Sequence, residues 1–109
     1  MLNRKHRFHG YGSLKRVYDN SKSVRGPLVS LRYSIRKPDK KYRVAVVVAK
    51  KVNKSAVVRN RIRRRIFEIA RQSDVKDSVD YIFTVYSDQV ADLPADELKN
   101  QIEQLLSKV

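Results

Sequence analysis

Apolar residues recur along the chain with two different periods. Residues 28–36, LVSLRYSIR, alternate: Val29, Leu31, Tyr33 and Ile35 fall on one side, Ser30, Arg32 and Ser34 on the other. That alternation predicts a half-buried strand. Lys37-Pro38-Asp39-Lys40 is a turn signal. Residues 42–49, YRVAVVVA, carry enough valine to predict a strand buried on both faces, and the two strands together predict an antiparallel hairpin. The period then changes. Val58, Ile62, Ile66 and Ile69 form a narrow helical stripe that runs to about Arg71, capped by Ser55 or Asn53 and ended by Ser73-Asp74. Residues 79–86, VDYIFTVY, predict a third substantial strand. Leu93-Pro94 opens a final helix with Asp96 and Glu97 in its first turn, where the helix dipole favours acids. Its stripe is Leu98, Ile102, Leu105 or Leu106, and Val109. Upstream, Ser13 is placed to cap a short helix from Leu14 to about Asn20. Val24-Arg25-Gly26-Pro27 marks a break or bulge, with room for a short extra strand near 22–25.

The coarse order is α-β-β-α-β-α, an α+β arrangement of one small sheet backed by helices. Strand 42–49, helix 55–71 and strand 79–86 form a βαβ crossover if the two strands are parallel neighbours, and the default hand of such a crossover is right. The 109 residues fit one domain, with 1–12 as a basic, Gly-containing arm. The absence of cysteine excludes disulfides and Cys-based zinc sites and suits a reducing cytosol. No apolar run approaches 18 residues, and no apolar segment follows the basic start Met1 to Phe8. The expectation is a cytoplasmic protein without a membrane partner.

Charge sharpens the picture. The net charge is +14, and it is unevenly spread. Residues 1–71 hold 22 of the 25 Lys and Arg against three acids, whereas 72–109 hold three Lys against eight acids. So one-signed a surface repels itself unless a polyanion binds it and releases counterions. A membrane surface would call for a basic amphipathic helix with bulky apolar anchors or a lipidation signal, and no lipidation signal is present.

The helix at 55–71 concentrates the chemistry. Residues 59–65 read Arg-Asn-Arg-Ile-Arg-Arg-Arg. Asn60, Arg63, Arg64 and Arg71 lie opposite the apolar stripe, Arg59 and Arg65 flank it, and Arg61 lies close to the flank. Five guanidiniums with Glu68 as the only nearby acid cannot be neutralised within the helix, and their forks match phosphate oxygens. Asn60 both donates and accepts, which suits a base edge or a 2′-hydroxyl. Lys50, Lys51 and Lys54 sit in the loop that enters the helix, where its N-terminus already favours anions. Aromatics interleave with the basic residues: Phe8 and Tyr11 in the arm, Tyr18 on the first helix. Such neighbours suit unpaired bases, although each is also an ordinary core residue. Phe67 falls on the polar face, either exposed for stacking or covered by another element. His6 and His9 have no partnering acid nearby, and three glycines make no phosphate-cradling loop for a small-molecule substrate. The acids cluster in the last third without metal-ligand spacing. The chain therefore reads as a nucleic-acid binder with no catalytic residues of its own.

The run from Lys50 to Glu68, KKVNKSAVVRNRIRRRIFE, resembles the signature of the bacterial ribonuclease P protein family. Met1-Leu2 with its basic residues, Leu14-Lys-Arg-Val-Tyr18 and Asp80-Tyr81-Ile82 match as well, so the resemblance runs from about residue 2 to 106. It implies the order α-β-β-β-α-β-α, about four strands, and a left-handed crossover in place of the default. It also implies an activity: the subunit of a ribonucleoprotein endonuclease that removes the 5′ leader of precursor tRNA, with catalysis by the RNA and Mg²⁺ bound mainly there. The partners would be the catalytic RNA and precursor tRNA. Lys50, Lys51, Lys54, Arg59, Asn60, Arg61, Arg63, Arg64 and Arg65 would face the catalytic RNA. Leu14, Lys15, Tyr18, Ser30, Arg32, Ala45 and Val47 would line a cleft for the single-stranded leader.

Four positions depart from the family pattern. Leu14 stands where Phe is usual, Arg32 where an aromatic is frequent, Phe67 where Arg is usual, and Asn53 replaces a common Gly in a longer loop. Three rival readings share the charge. A small ribosomal protein would have no distinct single-strand cleft. A stand-alone ribonuclease would need the acid and base groups missing here. A DNA-binding module would put the Arg helix in a groove and leave the basic residues of 1–54 unexplained.

Overall fold

A computed structural model describes residues 21–35, 41–73 and 78–109. The predicted arm, the predicted first helix and the turn at 37–40 lie outside the described residues.

Four strands form one sheet: β1 (Lys22–Val24), β2 (Val29–Ile35), β3 (Arg43–Val47) and β4 (Val79–Val85), in the spatial order β1-β2-β4-β3. The room left for a strand near 22–25 is filled by β1, which pairs antiparallel with β2, Val24 opposite Leu31. The predicted hairpin of the second and third strands does not form. β4 lies between them, antiparallel to β2 and parallel to β3.

The reason lies in burial. β4 is buried at six of its seven positions, because the sheet covers both its edges and both its faces are covered. The valine run of β3 is instead an edge strand, and only Val44, Val46 and Val48 are buried. Ala45 and Val47 point the other way and are half-buried, so the expected two-sided burial belongs to β4 and not to β3. A parallel β3–β4 pair needs a crossover, and α1 (Ala56–Gln72) supplies it.

The core fills the face made by Val29 and Leu31 of β2, Val44 and Val46 of β3, and Val79, Tyr81, Phe83 and Val85 of β4. Against it α1 packs Ile62, Ile66 and Ala70, four residues apart. Val58 and Ile69 flank this stripe, and Phe67 is half-buried against the same core instead of standing free for stacking. The last helix, α2 (Ala95–Leu106), adds Leu98, Ile102 and Leu105, which resolves the alternatives at its end in favour of Leu105. A short 3₁₀ turn at Asp88–Ala91, which no periodicity marked, buries Val90 and Ala91 beside α1. From the first strand onward, the described elements follow the expected order.

Candidate nucleic-acid interface

The opposite face of the sheet is built of short rows. Strand register puts Ser30 beside Thr84 and Thr84 beside Val47. The next row is Arg32, Ile82 and Ala45, and the third is Ser34, Asp80 and Arg43. Ser30, Arg32, Ala45 and Val47 therefore share one face of the sheet. Leu14, Lys15 and Tyr18 lie outside the described residues.

Sequence reasoning missed the residues of β4 that complete this face. The third row is closed by a forked ion pair: Arg43 Nε donates to Asp80 Oδ1 at 2.9 Å and Nη2 to Oδ2 at 2.7 Å. At the other end Ser30 Oγ lies 2.7 Å from the Tyr86 hydroxyl. Arg32 leans across to Ser21, its Nη1 donating to Oγ at 3.2 Å. The period-two spacing of Asp80, Ile82, Thr84 and Tyr86 was the available signal, but it is readable only once β4 is known to be central.

The Lys-rich loop follows β3. Asn53 organises it, its Oδ1 accepting from Ser55 N at 2.8 Å and its Nδ2 donating to Asp88 Oδ2 at 3.1 Å. Ser55 is the N-cap of α1, its hydroxyl accepting from Val58 N. Both expected capping residues are thus used, one for the loop and one for the helix. No acid occupies the first turn of α1, so its positive dipole end stands uncompensated beside Lys54.

The basic residues of the Lys-rich loop and of α1 differ in what they touch. Arg59 and Arg65 are bound into the fold. Arg59 Nη1 donates to the carbonyls of Asn53 and Lys54, each at 2.9 Å, and so ties the loop to the helix. Arg65 Nη1 donates to the Val90 carbonyl at 2.6 Å, and Nη2 donates to the Leu93 carbonyl. Arg63 Nη1 donates to Asn60 Oδ1 at 2.5 Å, which pre-orients that amide.

Others face solvent. Lys50, Lys51, Lys54, Arg61 and Arg64 are exposed. Arg61 has Asp92 at 3.8 Å with both side chains mostly exposed, a pairing that contributes little in water. Further along the helix Arg71 Nη2 donates to Glu68 Oε2 at 2.9 Å, and this bond is the largest cause of the lowering of the Glu68 carboxyl to about 2. Of nine residues expected to face RNA, then, five present unengaged or weakly engaged cations, and Arg59 and Arg65 act as internal ties.

Among the described residues, no three His, Cys, Asp or Glu side chains converge to hold a metal ion. No helix of the described residues is long and apolar enough to cross a membrane.

Comparison with known proteins gives a family and a fold. The model of the family described as Ribonuclease P matches residues 2–109. A ribonuclease P protein component from a Pseudanabaena strain is 33% identical over 111 residues, covering 99% of this chain and 94% of that protein. One from a Thermoanaerobacter strain is 38% identical over 96 residues, covering 86% and 80%. The solved structure of Staphylococcus aureus RNase P protein superposes with a TM-score of 0.79 at 24% identity, over 94% of each chain, a likeness of fold.

Proposed function

The chain belongs to the ribonuclease P protein family, and from that premise we propose that it serves as the protein subunit of the ribonucleoprotein that removes the 5′ leader of precursor tRNA. One observation supports the reading beyond the family. Two surfaces of different chemistry meet at the end of β3: the exposed cations of the loop and helix, and the mixed polar and apolar sheet face.

Each surface suits a different RNA. Lys50, Lys51, Lys54, Arg61 and Arg64 place point charges and forks where a folded RNA presents phosphates. Asn60, steadied by Arg63, offers an amide to a base edge or 2′-hydroxyl. The sheet face offers the half-buried side chains of Arg32, Ser34 and Thr84 and small apolar surface at Ala45 and Val47, while Ser30 is buried with its hydroxyl on Tyr86. A single strand requires that mixture, since its bases and its backbone are both accessible.

Mg²⁺ enters this proposal as an ion held mainly by the RNA partner. The protein's part is to bind and orient. Its cations lower the repulsion between two RNAs and allow phosphates to approach closely enough for the RNA to retain its ions.

The decisive experiment is cleavage of a 5′-extended precursor tRNA at low Mg²⁺. Three reactions are compared: this protein alone, bacterial ribonuclease P RNA alone, and the two together. Cleavage only in the combined reaction is expected. Cleavage by the protein alone would make it a nuclease in its own right. No gain on combining the two would overturn the assignment.

A further inference from the structure

We infer that Asp88 is a positioning residue for RNA binding: through Asn53 it anchors the Lys-rich loop to the 3₁₀ turn and fixes where the loop's lysines meet phosphate. The inference rests on the proposed binding of the catalytic RNA by that loop, and it names a residue the sequence did not mark.

Asp88 is an acid set against a lysine-rich loop. By charge alone it opposes a polyanion on this side of the molecule, so its place there calls for another use. The structure supplies one. The exposed Asp88 carboxylate accepts from Asn53 Nδ2 at 3.1 Å, and Asn53 is its only side-chain partner among the described residues.

The turn that carries Asp88 is firmly seated. Ser87 Oγ caps it, accepting from Gln89 N at 3.2 Å, and Asp92 N and Leu93 N both donate to the Gln89 carbonyl at 3.0 Å. Val90 and Ala91 are buried in the core. Arg65 binds the Val90 and Leu93 carbonyls and so fastens the turn to α1. Asp88 therefore stands at a fixed place relative to the Arg-rich helix.

The loop is fixed in two halves. Val52 N donates to the Ala49 carbonyl at 3.0 Å, which folds the first half. The second half depends on Asn53. Its amide donates to Asp88 and accepts from Ser55 N, and its carbonyl, like that of Lys54, accepts from Arg59. Asp88 holds one end of that series of bonds. Without it the Asn53 amide is free to turn, and the backbone that presents the exposed Lys51 and Lys54 loses a restraint. A loop ordered before RNA arrives loses less freedom on binding, which raises affinity without a new contact. The bond itself is exposed, and Arg59 and Arg65 tie the same elements together, so the fold stands without it.

The test measures binding of the full chain and its variants to bacterial ribonuclease P RNA at fixed salt, with urea unfolding of each alongside. Asp88→Ala and Asp88→Asn remove the same charge, but only Asn keeps an acceptor for the Asn53 amide. Asp88→Ala should weaken binding about two- to tenfold, the range of one hydrogen bond, although loss of an acid would otherwise tighten it. Asp88→Asn should bind as tightly as the parent or more so. In an Asn53→Ala background, Asp88→Ala should weaken binding no further, because the bond is already gone. The urea midpoints of the parent and both Asp88 variants should agree. Equal affinities of Asp88→Ala and Asp88→Asn would reduce Asp88 to a surface charge and overturn the positioning role, with the subunit reading intact. A loss of affinity that tracks a loss of stability would make the role structural and equally overturn it. If the parent itself fails to bind the catalytic RNA, the subunit reading fails and the positioning role fails with it.

Discussion

Arg43 and Asp80 are side-by-side partners of the parallel β3–β4 ladder, and their side chains meet in a two-bond fork at 2.9 and 2.7 Å. The Asp80 side chain is only 3% exposed, and Arg43 is 20% exposed. The pair ties the edge strand to the central strand at the end of the sheet face farthest from the Lys-rich loop. Breaking a buried pair by removing one partner costs about 3–5 kcal/mol, and the interactions that Asp80 makes besides this fork place the loss at the lower end. Arg43→Met should therefore destabilise the protein by about that amount in urea denaturation. Arg43→Lys should recover only part of it, because an ammonium cannot make the fork. Equal stability of Arg43→Met and the parent would show that the pair contributes nothing net.

That pair also marks where the sequence stops being legible. Strand 28–36 was readable from period-two alternation, strands 42–49 and 79–86 from their β-branched and aromatic runs, and the Arg-rich helix from its Ile62 and Ile66 stripe, because each is a local pattern. Which strands are neighbours is not local. Val44, Val46 and Val48 read as a run buried on both faces only because Ala45 and Val47 are also apolar. The insertion of β4 between β2 and β3 depends on the burial of Ile82 and Asp80, which alternation alone does not disclose. The same limit applies to the site. Ser30 and Arg32 were legible as one face of one strand, whereas Thr84 and Tyr86 reach that face through β4. The commitment of Arg59 and Arg65 to backbone carbonyls was likewise hidden, since a helical wheel ranks them by angle and not by partner.

Gly26 sits at the bend between β1 and β2 because two parts of the chain approach it closely. A Cβ there would lie 2.5 Å from the Val29 carbonyl oxygen and 3.3 Å from Leu105 Cδ2. The first contact is with backbone, which yields only by moving the strand. Gly26→Ala should lower stability by about 1–3 kcal/mol, the usual range for overpacking. Thermal unfolding measures it, and an unchanged midpoint would mean that the bend relaxes freely.

Glu68 and Arg71 form an i, i+3 pair near the end of α1, and the Arg71 hydrogen bond is the largest cause of the lowered Glu68 carboxyl. A carboxyl lowered in the folded state stabilises the fold above its ordinary value, here 4.5. That contribution is lost as the pH falls from there towards about 2. Arg71→Gln should move the Glu68 titration upward, read by NMR of its side-chain carboxyl. A titration that stays in place would remove Arg71 as the cause.

Arg64 and Arg65 are adjacent in sequence and opposite in role. Arg64 is exposed and makes no hydrogen bond or ion pair with another described residue, whereas Arg65 bonds the carbonyls of Val90 and Leu93. Arg64→Gln should leave stability within about 0.5 kcal/mol, as for other surface changes. It should also reduce the log–log salt slope of RNA binding by about 1 if it removes one phosphate contact. Arg65→Gln should do the reverse. The shorter Gln amide cannot serve both carbonyls, that of Val90 in the 3₁₀ turn and that of Leu93 beyond it, at about 1–3 kcal/mol, while the salt slope of the folded fraction stays near that of the parent. Denaturation and a salt titration of both variants separate the two roles. Equal slope changes would show that Arg65 leaves its carbonyls for phosphate when RNA binds, and that the tie between α1 and the turn is released in the complex.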